Sequence, residues 1–106
     1  MNSLVILPSH YILVASLIFS IGAAGAIWRR NALILLMSVE LMLNAANLVL
    51  IAYAKEFGNA NGHAISFFVM AIAAAEAALG LAIVLGVFRT RQTVDVDELD
   101  TLRDET

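Results

Sequence analysis

The chain has 106 residues, 61% of them apolar and only 14% charged, a balance outside the range of a soluble globular domain. Its net charge of −3 belongs to the tail, since six of the nine acidic residues lie beyond Val94. With no cysteine, disulfides, thiolate iron–sulfur ligation and a cysteine nucleophile are excluded, and no Gly-rich phosphate loop suggests a nucleotide site.

The first apolar run, about 10–28, is long enough to cross a hydrocarbon core of about 30 Å. Ala24-Gly25-Ala26 has the form of a signal-peptide cleavage site. However, no Lys or Arg precedes Arg29, and the run exceeds an ordinary signal core, so it reads as a retained anchor. Arg29-Arg30-Asn31 forms a very short turn into the second run, about 31–54. A polar loop from Lys55 to His63 leads to the third run, about 64–88, and the segment 89–106 is a polar, acidic tail.

The expected fold is all-α: an integral membrane bundle of three transmembrane helices forming a single membrane domain over 1–106. Arg29, Arg30, Arg89 and Arg91 fall on one side and Lys55 on the other, which places the amino terminus outside and the carboxyl terminus in the cytoplasm. Tyr11 and Tyr53 mark the outer interface, Trp28 and Phe88 the inner one. Arg29 and Arg30 read first as topology determinants, with a supporting functional role as the alternative. His10 and His63 lie near helix ends on one side, an arrangement unsuited to holding a haem within the spans.

Two residues carry chemistry. Glu40 lies inside the second span and Glu76 inside the third, at depths of about 15 Å and about 19 Å from the cytoplasmic ends at 1.5 Å per residue. Glu is too short to reach the interface from there. A carboxyl group held neutral at pH 7, against a reference pKa of about 4.3, costs roughly 3.7 kcal/mol. A charged one costs at least a comparable amount at mid-bilayer. The spans contain no Lys, Arg or His to offset either cost, so partners come from other chains or from water. Ionisable groups in such places load and release protons, whereas packing alone does not account for them.

Asn44 and Asn47 follow Glu40 at i+4 and i+7 and share its helical face. By themselves they read as hydrogen-bonding glue between membrane helices; as neighbours of Glu40 they are candidates for a supporting role. Glu76 is set among Ala73, Ala74, Ala75, Ala77, Ala78 and Gly80, small residues that predict close contact with other helices and little room for lipid. Gly22, Gly25 and Ala26 offer the same close approach on the first helix.

The stretch Ser38-Val39-Glu40-Leu41-Met42-Leu43-Asn44-Ala45-Ala46-Asn47-Leu48 resembles the second helix of the subunit K family of the proton-pumping NADH:quinone oxidoreductase (respiratory complex I, NDH-1). Ala73-Ala74-Ala75-Glu76-Ala77-Ala78-Leu79-Gly80-Leu81-Ala82 is similar to that family's third helix, and the Arg29-Arg30-Asn31 turn and Val94-Asp95-Val96-Asp97-Glu98-Leu99 are also similar. The resemblance implies a non-redox subunit of the membrane arm, beside subunits A, J and N, in the inner (plasma) membrane of a bacterium. It implies that this chain holds no cofactor, while FMN and iron–sulfur clusters in partner subunits carry electrons from NADH to a quinone bound elsewhere. Glu40 and Glu76 match the family's two membrane glutamates, part of a line of ionisable residues along the arm, and would act as a proton and charge relay.

The alternative is the small subunit of a multi-subunit sodium/proton antiporter, which shares the three-helix plan but lacks this glutamate pair. A small multidrug exporter has four spans with a glutamate in the first. The ring subunit of a rotary ATP synthase has two helices and one carboxylate. The blandest reading is an assembly subunit whose glutamates anchor neighbouring chains.

Overall fold

The computed structural model describes residues 5–99; the remainder of the acidic tail expected over 89–106 lies outside the described residues. Three helices follow in order: α1 (Pro8–Trp28), α2 (Ala32–Glu56) and α3 (Ala60–Arg91), then a short 3₁₀ turn at Val96–Glu98. The only bridge-like pairing among the described residues is Asn31 with Asp95, and no strand forms. All three helices are long and apolar enough to cross a membrane.

Each helix start has an identifiable cause. Pro8 opens α1, where its fixed φ suits the first turn and its missing N–H costs nothing. His10 Nδ1 accepts from the Leu7 amide at 2.9 Å, closing that end. Asn31 caps α2, its side-chain oxygen accepting from the amides of Leu33 (2.9 Å) and Ile34 (3.3 Å). Asn59 does the same for α3 with Asn61 (2.9 Å) and Gly62 (3.3 Å). The helices therefore run longer than hydropathy draws them. The expected Lys55–His63 loop contracts to Phe57, Gly58 and Asn59, because α2 continues through Glu56 and α3 begins at Ala60. Gly58 makes the reversal at φ 58°, a conformation open to glycine.

Packing is inverted relative to a soluble protein. The buried residues are small or polar: Ala15, Gly22, Ser38, Ala45, Asn47, Ala52, Ala54 and Ser66. The large apolar side chains, such as Leu13, Phe19, Phe67, Phe68 and Leu79, face outward, where hydrocarbon or neighbouring chains replace water. Hydroxyls on the outer face are satisfied locally, Ser16 donating to Ile12 O (2.8 Å) and Ser20 to Ser16 O (2.7 Å).

α2 is the central helix and packs against both α1 and α3. Its contact with α1 depends on glycine: a Cβ at Gly22 would lie 2.8 Å from the Ser38 carbonyl oxygen, and one at Gly25 would lie 2.5 Å from Ser38 Oγ. α2 and α3 close at one end where Gly62 meets Ala54, and near the other where Gly80 meets Leu36. Between these two contacts the helices leave a groove.

The start of the tail folds back onto the α1–α2 turn. The Ala32 amide donates to Val94 O (2.7 Å) and the Val96 amide to Arg30 O (2.8 Å), with Arg30 and Asp97 paired at 2.6 Å. This clasp ties the end of α3 to the α1–α2 hairpin.

Candidate functional site

Glu40, Asn44 and Asn47 line one wall of the α2–α3 groove, an open space of about 740 Å³. The i, i+4, i+7 spacing on α2 aligns them, and the opposite wall of α3 supplies Val69, Met70, Ala73, Ala74, Ala77 and Leu81. The alanines open the space, since a larger residue at Ala73 or Ala77 would project into it. Glu40 is half-buried, Asn44 exposed and Asn47 buried. Toward the α1–α2 turn the walls are Leu33, Leu36, Met37 and Leu81, all apolar. The polar half of the groove thus faces the α2–α3 turn.

Asn47 is 4% exposed and its Oδ1 accepts from Ser66 Oγ at 2.8 Å, a buried bond joining α2 to α3. Ser66 is only 2% exposed. Sequence reasoning passed over it, as a serine nearly two turns inside an apolar helix carries no marker of its partner.

Glu76 occupies a different surface. It is exposed on α3 and does not line the groove that holds Glu40. The close helix contact expected around it is made on one side only: Gly80 meets Leu36 and Ala73, Ala74 and Ala77 line the groove opposite α2, while Glu76 itself, Ala75 and Ala78 are exposed. Among the described residues neither glutamate has an ion-pair partner, and no side-chain hydrogen bond reaches either. Among the described residues no group approaches the Glu76 carboxylate closely enough to pair with it.

Arg29 and Arg30 are not brought to the groove. They sit at the α1–α2 turn, with Glu40 about 14 Å further along α2 from the Asn31 cap. The Arg29 amide donates to Gly25 O (3.1 Å), ending α1. Arg30 belongs to the clasp, through both its carbonyl and its guanidinium.

The sequence profile of the family described as NADH-ubiquinone/plastoquinone oxidoreductase chain 4L matches residues 10–104. A protein from Anaeromyxobacter sp. (strain Fw109-5), named NADH-quinone oxidoreductase subunit K, is 55% identical over 94 residues, covering 89% of this chain and 94% of that one. A protein of the same name from Roseiflexus castenholzii is 53% identical over 95 residues, 90% of this chain and 95% of its own length. The chain belongs to the subunit K family of NADH-quinone oxidoreductase. The match spans the three helices, the groove and the clasp, and it disfavours the antiporter small subunit as an alternative. A subunit K chain is part of an enzyme complex and has no redox role of its own.

Proposed function

We propose that this subunit K chain is a non-redox element of the membrane arm, in which Glu40 and Glu76 pass protonation and charge changes between neighbouring subunits. The observation that carries the reading is the pair of carboxylates within the spanning helices, one in a groove and one on an outward face, each without an ion-pair partner among the described residues. That geometry suits a relay with two ports. Glu40 holds or releases a proton inside the α2–α3 groove, and Glu76 presents a carboxyl group to the adjoining chain. Polarity along such a line changes the electrostatic cost of the next protonation, which couples distant steps without bond chemistry here.

The rest of the reading follows from the resemblance of the glutamate motifs. Subunits A, J and N are the neighbours in the membrane arm, and FMN and iron–sulfur clusters in partner subunits carry electrons from NADH to quinone. The chain lies in a bacterial inner membrane with its amino terminus outside, supported by the arginines at the α1–α2 turn and at the end of α3.

Glu40→Gln and Glu76→Gln test the proposal in inverted membrane vesicles. Glutamine keeps the volume and hydrogen-bonding capacity but carries no exchangeable charge. The complex should assemble, while proton pumping coupled to NADH oxidation falls by about tenfold or more. Normal pumping in both variants would sink the relay and leave the glutamates as anchors.

A further inference from the structure

The groove has a second polar feature that the glutamate motifs do not account for. Asn47 Oδ1 is committed to Ser66 Oγ, so the planar amide cannot rotate without breaking that bond. Its nitrogen makes no side-chain hydrogen bond among the described residues, yet none of their buried polar side-chain atoms is left without a partner. The nitrogen therefore opens onto accessible space, and the space Asn47 lines is the groove of Glu40 and Asn44. We infer that Ser66 is a positioning residue: it fixes the Asn47 amide so that its N–H donors project into the Glu40 groove.

The consequence is directional. From Glu40 toward the α1–α2 turn the groove offers only Leu33, Leu36, Met37 and Leu81. Toward the α2–α3 turn it offers Asn44 and then the Asn47 donors, one and two helical turns from Glu40. An amide does not itself carry a proton at neutral pH, but fixed N–H donors orient water, and oriented water carries one. Exchange between Glu40 and its surroundings through this groove accordingly runs on the Asn47 side. Ser66, which never touches that water, sets its orientation from the far side of the amide.

This inference rests on Glu40 acting as a relay, so the experiment includes Glu40→Gln beside Ser66→Ala, Ser66→Cys and Asn47→Leu, all in the assembled complex in inverted vesicles. Protons pumped per NADH, NADH:quinone reductase activity and the pH profile of pumping are measured together. Ser66→Ala and Asn47→Leu should lower pumping about three- to tenfold, the range spanned by one net hydrogen bond, with reductase activity and assembly retained. Ser66→Cys, which keeps a weak donor, should fall between alanine and wild type. The pH profile of pumping should be displaced in Ser66→Ala, which a purely structural bond would not do. Wild-type pumping and an unmoved profile in Ser66→Ala overturn the inference, as does loss of assembly in that variant, which would make the bond structural. If Glu40→Gln pumps normally, the relay itself fails, a result distinct from an unaffected Ser66→Ala beside an inactive Glu40→Gln.

Discussion

The clasp between tail and turn is held mainly by backbone, and Val96→Pro is the substitution that shows it. Val96 is the first residue of the 3₁₀ turn, preceded by Asp95 at φ −75° and ψ 118°. Proline is compatible with both positions, since it favours the start of a helical turn and an extended residue before it. The local φ and ψ thus suit proline, and the effect comes from the lost donor and from the ring carbon that meets Arg30 O. It breaks the Val96 N–H bond to Arg30 O and puts a ring carbon where the hydrogen lay, 2.8 Å nitrogen to oxygen. One such bond contributes about 1 kcal/mol net. The Arg30–Asp97 pair is shorter, at 2.6 Å, but its side chains are 75% and 55% exposed. Solvent screening limits it to roughly 0.2–1 kcal/mol.

Hydrogen exchange at the Ala32 amide reads these terms separately. Ala32 is the first residue of α2, where an amide has no acceptor within its own helix. Its protection comes from Val94 O at 2.7 Å and so reports the clasp alone. In the purified complex Val96→Pro should lower that protection at least about fivefold, since the ring carbon adds to the lost bond, and Asp97→Asn about twofold. Raising the salt should reproduce the smaller effect and not the larger. An Asp97→Asn effect equal to or greater than that of Val96→Pro would refute the argument that backbone pairing dominates.

Two further substitutions test the helix contacts and ends. Gly22→Ala puts a methyl 2.8 Å from a backbone oxygen and should destabilise the α1–α2 pairing by about 1–3 kcal/mol, whereas Gly86→Ala, with nothing within 4 Å, should be neutral or stabilising; thermal unfolding in detergent compares them. Asn31→Ala uncaps two amides and should cost about 1 kcal/mol in the same assay, while Asn31→Asp, which keeps the acceptor, should retain most of the stability.

Much of this molecule is determined locally and can be read from the chain alone. Apolar runs of spanning length become helices because hydrocarbon leaves backbone groups no other partners. Arg29-Arg30-Asn31 is too short to be anything but a turn, and spacing alone puts Glu40, Asn44 and Asn47 on one face of α2. Other features depend on approach between distant residues. Hydropathy measures preference for lipid and not backbone conformation, so Lys55, Glu56 and Asn61 looked like loop although α2 and α3 extend through them. The inward or outward aspect of Glu76 was hidden by alanines on every side of it; only the contact of α3 with α2 decides which of them are covered. Asn47 meets Ser66 across 19 residues, and Arg30 meets Val96 and Asp97 across most of the chain. Such pairings arise from how helices cross and where the chain returns, which no local periodicity encodes. They turn two glutamate motifs into a groove with a polar end, an apolar end and a clasp at its foot.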